Sequence, residues 1–303
     1  STYDANAQKV VVVATLGGTP SAFVGTISGT SVSFGSRVSY GGSNGEQNRI
    51  TYDANAQKVV AIYNFSSSGR ARVGTVSGTS ISFGAEATFQ NSGTDDLSID
   101  YDANAQKVVV AYQDSANSDY GTAIVGSVSG TTISFGTKAA FSAAATGNCT
   151  VVYDSSVQRV AIFYRDASPF YGKVVSGNVS GTSITFTTAT TFQSSRAESF
   201  GGTYDANAER VVLAYRDYAA VTGDAVVFTT GFTTINLTAE NYIGISTGGT
   251  YASGSTATVK IIGNTSNEQT SLTAGQSYFV QTNGTIGTTA ADPSVFAGTA
   301  ISA

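Results

Sequence analysis

Tyr101-Asp102-Ala103-Asn104-Ala105-Gln106-Lys107-Val108-Val109 is one of five copies of a string that runs through the whole first part of the chain. It stands in the same form at Tyr3 and Tyr52, as Y-D-S-S-V-Q-R-V at Tyr153, and as Y-D-A-N-A-E-R-V-V at Tyr204; successive copies are 49, 49, 52 and 51 residues apart. A second string keeps a fixed offset from the first. It reads G-T-I-S-G-T-S-V-S-F-G from Gly25, G-T-V-S-G-T-S-I-S-F-G from Gly74, G-S-V-S-G-T-T-I-S-F-G from Gly126 and G-N-V-S-G-T-S-I-T-F from Gly177. A period near 50 residues marks a repeat architecture, in which each unit buries its apolar face against its neighbours. The repetition also constrains function, because a residue present in every copy serves the repeat before it serves a single active site.

Within one period the pattern predicts four short strands. Ser98-Ile99-Asp100-Tyr101 ends the first, and Asp102-Ala103-Asn104-Ala105 is a turn, since Asp and Asn bond nearby backbone and tolerate turn dihedrals. Lys107 to Tyr112 is the second strand, a short continuous β-branched run as expected for a strand covered on both faces. Ala123 to Val128 is the third, Ser129-Gly130 a tight hairpin turn, and Thr132-Ile133-Ser134-Phe135 the fourth. Its Ile and Phe alternate with hydroxyl residues and so share a face. Ile133 and Phe135 are expected to be buried, as are their equivalents Ile81, Phe83, Ile184 and Phe186. A further short segment ends at Phe141, matching Tyr40, Phe89 and Phe192.

Four strands per ~50 residues fit a propeller blade, whereas a β-helix coil needs a shorter period and an immunoglobulin-like sandwich about twice the length. The expected fold is therefore all-β: a β-propeller-like array of about five four-stranded repeats over residues 1–230, then a small C-terminal β domain over 235–303. In the second domain Ala257 to Gly263 and Ser277 to Gln281 read as strands, and Asn283-Gly284 as a hairpin turn. Its Tyr242, Ile243, Tyr251, Tyr278, Phe279 and Phe296 exceed what so small a domain easily buries alone, which makes it the expected contact of a homo-oligomer.

Charged residues make up only 12 % of the 303, and the net charge is −5, which excludes the basic stripe that nucleic-acid binding needs. No apolar run approaches the ~18 residues of a membrane span, so membrane insertion is not expected. Histidine and methionine are absent and Cys149 is the single cysteine. No internal disulfide can form, and zinc and haem lack their usual ligands; no cofactor or metal is expected. The chain opens inside a repeat, at Ser1-Thr2-Tyr3-Asp4, and without Met, so it is expected to be a piece of a longer product with upstream repeats.

Two residue groups invite a functional reading. Asp4, Asp53, Asp102, Asp154 and Asp205 recur at one offset, which points to turn caps rather than to catalytic carboxylates or a calcium shell. The loop after the second strand varies most between copies. It carries Arg165-Asp166 and Arg216-Asp217 with aromatics at Tyr120, Phe170, Tyr171 and Tyr218. Aromatic faces beside Arg and Asp suit sugar rings, and loops on rigid scaffolds commonly bear function. Tyr120, Arg165, Asp166, Tyr171, Arg216, Asp217 and Tyr218 are the expected ligand contacts, and the acidic net charge favours a neutral glycan over an anionic one. For catalysis, no His can activate a Ser, and Cys149 has no base in its sequence vicinity. The scarce glutamates share no strand position suited to a glycosidase pair, so an enzyme is not expected.

The repeat strings, followed by LTAENYIGIS from Leu237 and by LTAGQSYFVQTNGTIGTTAADPSVFAGTAISA from Leu272, resemble repeat-bearing structural proteins of marine bacteriophages, usually labelled tail fibre or tail proteins. The resemblance runs along nearly the whole chain in the same order, with the C-terminal string the more specific part. The family's Y-R-D after the second strand is replaced by Ala14-Thr15-Leu16 in the first repeat and by Tyr63-Asn64-Phe65 in the second. The resemblance implies an extracellular virion component of a fibre or tail that assembles with other virion proteins; with the loop residues it makes the leading expectation a non-enzymatic structural protein with a possible host-surface glycan-binding role. The alternatives are a secreted or cell-surface carbohydrate-binding propeller and, third, a glycan hydrolase.

Overall fold

The computed structural model describes residues 1–228, 245–246, 259–260, 272–280, 286–289 and 296–301. It is an all-β protein of antiparallel sheets, and the chain divides into two compact bodies, Ser1–Gly231 and Phe232–Ala303.

The first body is built from five units. The first holds β1 (Thr2–Asp4), β2 (Lys9–Leu16), β3 (Thr19–Ser28), β4 (Ser31–Phe34) and β5 (Val38–Ser39); the second holds β6 (Gly45–Asp53), β7 (Lys58–Phe65), β8 (Ser68–Ser77), β9 (Ser80–Phe83) and β10 (Ala87–Gln90). The third holds β11 (Thr94–Asp102), β12 (Lys107–Asp114), β13 (Tyr120–Ser129) and β14 (Thr132–Phe135), and passes through β15 (Ala139–Asp154) into the fourth. There β16 (Arg159–Asp166), β17 (Tyr171–Ser180) and β18 (Ser183–Phe186) follow; β19 (Thr190–Asp205) leads to β20 (Arg210–Asp217) and β21 (Thr222–Phe228) of the fifth.

Three strands pair in sequence order in each unit, and in the first four units two short segments share the edge of the third. In the third unit β14 pairs with the last residues of β13, Gly126 to Ser129, while the start of β15 pairs with its first, Tyr120 to Ala123. The segment ending at Phe141 is thus the first half of a 16-residue strand whose second half, Gly147 to Asp154, is the inner strand of the next unit. The sequence pattern predicts these as separate pieces; pairing to two different partners joins them. The turn between β8 and β9 is a two-residue loop after Ser77, with Gly78 at φ +60°, a conformation that favours glycine.

The continuous apolar run of the second strand is explained by its burial on both faces. Val108 and Val110 pack toward the second unit, among Val60, Ile62 and Val73, whereas Val109 and Ala111 pack toward the fourth, among Val160, Ile162 and Tyr164. Aromatic pairs repeat at the same place in each junction: Tyr40–Tyr63, Phe89–Tyr112, Phe141–Tyr164 and Phe192–Tyr215, with ring centroids 5.5, 5.6, 5.1 and 5.3 Å apart. Ile81, Ile133 and Ile184 are buried as the sequence predicts. Phe83, Phe135 and Phe186 are only half-buried, packed against the same clusters.

Polar rungs tie one unit to the next. Each inner strand from the second unit on carries a bulge residue with positive φ: Gln47, Asp96, Asn148 and Ser199. The Gln47 side-chain oxygen accepts from Leu97 N at 3.2 Å, Asp96 from Asn148 N at 2.8 Å, and Asn148 from Ser199 N at 3.2 Å. Lower down, the hydroxyls of Tyr52, Tyr101 and Tyr153 accept from Asn6, Asn55 and Asn104 N, each at 3.2 Å.

The second body contributes β22 (Ile245–Ser246), β23 (Val259–Lys260), β24 (Ser277–Val280), β25 (Ile286–Gly287) and β26 (Phe296–Thr299). β24 pairs antiparallel with both β25 and β26. Tyr278 is buried, and its hydroxyl accepts from Thr273 N at 2.9 Å. Tyr242, Ile243, Tyr251 and the Asn283-Gly284 turn lie outside the described residues, as does the Phe296 side chain.

Candidate functional site

The five repeated aspartates do structural work. The Asp4, Asp53 and Asp102 carboxylates each accept, at 2.9 Å, the backbone N–H of the residue three positions on; Asp205 accepts from Asn207 and Ala208, and Asp154 from the Ser156 N–H and hydroxyl. Each closes the turn before the second strand, as the sequence predicts.

The varied loops of the fourth and fifth units converge on one point of β19. Where β19 crosses from the edge of the fourth unit to the inside of the fifth, Ala197 N donates to Phe170 O at 3.2 Å and Arg196 O accepts from Tyr218 N at 2.9 Å. These two bonds hold the loops β16–β17 and β20–β21 on either side of Arg196. Its guanidinium carbon lies 5.3 Å from the Phe170 ring centre and 4.4 Å from that of Tyr218. Arg165 approaches the same Phe170 ring at 5.3 Å, and Arg216 the same Tyr218 ring at 4.8 Å. The result is a row of alternating cations and aromatic rings, a geometry in which each ring's negative face stabilises a guanidinium. Phe170 and Tyr218 are both exposed.

Glu198 binds the row from beneath. One of its oxygens accepts from Arg165 Nη1 at 3.0 Å and from Arg196 Nε and Nη2 at 2.7 and 2.5 Å. Arg165 Nε is buried without a hydrogen-bond partner. The three guanidiniums of the row face the Glu198 carboxylate, and the buried Asp166 and Asp217 carboxylates are held beside it by their own loops.

Arg165, Arg216 and Tyr218 of the expected contacts meet in this cluster. Asp166 and Asp217 do not reach it as ligand groups, because both are buried and engaged by their own loops. Asp166 accepts from Tyr171 N at 2.8 Å and pairs with Lys173 at 3.1 Å. Asp217 accepts from Gln193 Nε2 at 2.6 Å and from Ser195 Oγ at 2.8 Å, and also from the Ala219 and Ala220 N–H groups. The Ser195 hydroxyl and those backbone donors hold its carboxyl below the usual carboxylate range. Tyr120 opens β13 opposite Ala145, and Tyr171 opens β17 opposite Arg196; both are half-buried in strand pairing. The aromatic that stacks in the fourth unit is Phe170, not its neighbour Tyr171. Asp166, Tyr164, Lys173 and Ser142 line a shallow cleft of about 290 Å³ under the same loop.

Arg196 and Glu198 were not among the expected contacts, yet the sequence carries a signal for Arg196. Its equivalents, which precede the residue bonded to the neighbouring loop, are Asn44, Gly93 and Ala145. Among these four equivalent positions only the fourth unit carries an arginine. Cys149 is buried in the third junction, and burial raises its thiol pKa, which removes it as a nucleophile. No group of three or more metal-ligating side chains occurs among the described residues. None of their helices is long and apolar enough to cross a membrane. Compared with known proteins, the chain matches no family model and no curated protein.

Proposed function

We propose that this chain is a non-enzymatic structural component of a bacteriophage virion, a tail fibre or similar appendage, in which a propeller-like array of repeat units carries a glycan-binding site on its fourth and fifth units. The observation that carries the binding assignment is the exposed row Phe170, Arg196, Tyr218 and Arg216, built where the repeat pattern is broken. The repeated aspartates, tyrosines and valines are consumed by turns and junctions, which supports a scaffold role for the rest.

Flat aromatic faces suit the C–H face of a sugar ring, and guanidiniums pair with carboxylates in two-pronged fashion. The net charge of −5 argues for a neutral ligand, but a bound group feels first the charges within a Debye length, about 10 Å. The guanidiniums of Arg196 and Arg216 face solvent while the nearby Asp166 and Asp217 carboxylates are buried, which favours a glycan bearing carboxylate or another anionic group.

Retention of the protein on host cells and on purified acidic and neutral surface polysaccharides tests the site. The Phe170→Ala/Tyr218→Ala double variant should lose about tenfold in affinity, near 1.4 kcal/mol, and Arg196→Ala should lose preferentially on the acidic polymer. Both should melt like the parent, since exposed substitutions usually cost within about 0.5 kcal/mol. Equal binding by the double variant would remove the site. Antibody raised against the chain should decorate purified phage particles; unlabelled particles would remove the virion reading and leave the site standing.

A further inference from the structure

We propose that the cleft under the loop joining β16 and β17 receives the acetamido group of an N-acetylated amino sugar, held between Asp166 and Lys173; the choice of a sugar rests on the glycan reading proposed above. Three successive junctions within the molecule differ at this one place, and the difference describes the ligand.

In each of them, the residue after the junction aromatic sits opposite a glycine of the third strand: Gln90 opposite Gly69, Ser142 opposite Gly121 and Gln193 opposite Gly172. The aspartate that ends the second strand of the next unit lies nearby: Asp114, Asp166 and Asp217 respectively. Where glutamine stands at the position, its carboxamide reaches that aspartate. Gln193 Nε2 donates to Asp217 at 2.6 Å. Gln90 makes both halves of an amide contact. Its Nε2 donates to Asp114 at 2.7 Å, and its Oε1 accepts from Lys138 Nζ at 2.9 Å. Lys138 in turn pairs with Asp114 at 3.3 Å. One neutral amide thus bridges a carboxylate and an ammonium.

The junction of the third and fourth units keeps the charged pair and lacks the amide. Asp166 is buried and pairs with Lys173 at 3.1 Å. The shorter Ser142 turns its hydroxyl to Ala144 O at 3.2 Å. The space that a glutamine fills elsewhere is here the cleft of about 290 Å³, lined by Ser142, Tyr164, Asp166, Lys173, Ala167 and Ser168. Asp166 accepts from Tyr171 N and from Lys173, and an ionised carboxylate offers about four lone-pair sites, so capacity remains for an incoming N–H. An amide in the cleft restores the arrangement at Gln90, with its N–H on Asp166 and its carbonyl on Lys173. A cationic amine would meet Lys173 and a carboxylate would meet Asp166, so the pair selects a neutral group that both donates and accepts. The volume lies at the small end for ligand pockets, which suits a single sugar residue. Ala167 and Ser168 belong to the loop whose Phe170 carries the first ring of the exposed row, so cleft and row share one loop.

Saturation-transfer NMR on the whole chain, with the methyl glycosides of N-acetylglucosamine, glucosamine and glucose, tests the proposal. The acetyl methyl should receive saturation, and the acetylated sugar should bind at least about tenfold more tightly than the other two, because they leave the buried pair without its amide. Ser142→Gln refills the cleft with the chain's own amide, as Gln90 and Gln193 do, and should abolish the signal while melting no earlier than the parent. Lys173→Thr supplies the residue that Thr122 provides at the same register, and should weaken binding about tenfold by removing the donor to the carbonyl. Equal binding of the three glycosides overturns the proposal, as does undiminished binding by a folded Ser142→Gln protein or by Lys173→Thr. A signal from a glutamine-containing tripeptide with none from any glycoside overturns the sugar assignment in favour of a peptide side chain. The probe is a monosaccharide on parent, Ser142→Gln and Lys173→Thr proteins, so its outcome is separate from retention on polysaccharide by the aromatic row.

Discussion

Phe170 sits at φ +73°, in a loop position that the earlier units fill with Gly18, Ser67 and Asp119, also at positive φ. A bulky L-residue there is strained, and strain of this kind collects at functional sites. The expected outcome for Phe170→Gly follows from that. Stability should hold or rise by about 0.5–1 kcal/mol, because the αL penalty of roughly 1–2 kcal/mol is relieved against the entropy cost of glycine. Glycan binding should fall, because the ring shared by Arg165 and Arg196 is gone. Denaturant melts beside polysaccharide binding separate the two effects; a variant that both melts earlier and binds normally would contradict the assignment. The repeated aspartates predict the reverse pattern. Asp102→Ala leaves the Ala105 N–H without its acceptor and should cost about 1–3 kcal/mol without touching binding. The measurement is again a denaturant midpoint, and an unchanged one would mean the turn closes without its cap.

At the level of elements, the hairpin of each unit presses on the glycine that ends the edge strand of the unit before. A Cβ on Gly136 would lie 2.0 Å from the carbonyl oxygen of Thr182, and Gly84 stands in the same relation to Thr131 at 1.9 Å. This is why the string ends in F-G in the first three copies. The fourth copy ends in Phe186-Thr187, and no hairpin follows β21 among the described residues. Gly136→Ala should therefore cost about 1–3 kcal/mol as an overpacked junction, whereas Thr187→Gly should cost no more than about 1 kcal/mol. Thermal unfolding of the two single variants checks the contrast, and similar losses in both would show that hairpin contact is not what selects glycine.

For the whole molecule, the junctions share one titration behaviour. Burial pushes the Tyr63 and Tyr164 phenols up to about 12, with the Glu86 carboxylate adding to the effect at Tyr63, and raises Tyr40 and Tyr112 in the same direction. The folded-state value exceeds the unfolded one near 10. The stabilisation is thus complete below pH 10 and is lost as the pH climbs toward 12. With no histidine in the chain, the melting temperature should be nearly flat from about pH 7 to about pH 9 and then fall steeply. Tyrosinate absorbance should rise together with unfolding, and Tyr164→Phe should move the fall to higher pH. Ionisation of these phenols at an ordinary pH in a protein that stays folded would contradict their burial.

The repeat, the strand-forming valine runs and the Tyr-Asp turns were legible in the sequence because each depends on neighbours close along the chain. A β-branched run needs only its own alternation, and an aspartate caps a turn three residues away. Tertiary pairing alone decided that the segments ending at Phe141 and Phe192 are the first halves of β15 and β19, since their short polar pattern fixes no partner. The site was half legible. Arg165, Arg216 and Tyr218 announced themselves by varying between copies, but Arg196 and Glu198 lie on a strand that crosses between units, and what faces them is set by two loops 25 residues or so to either side.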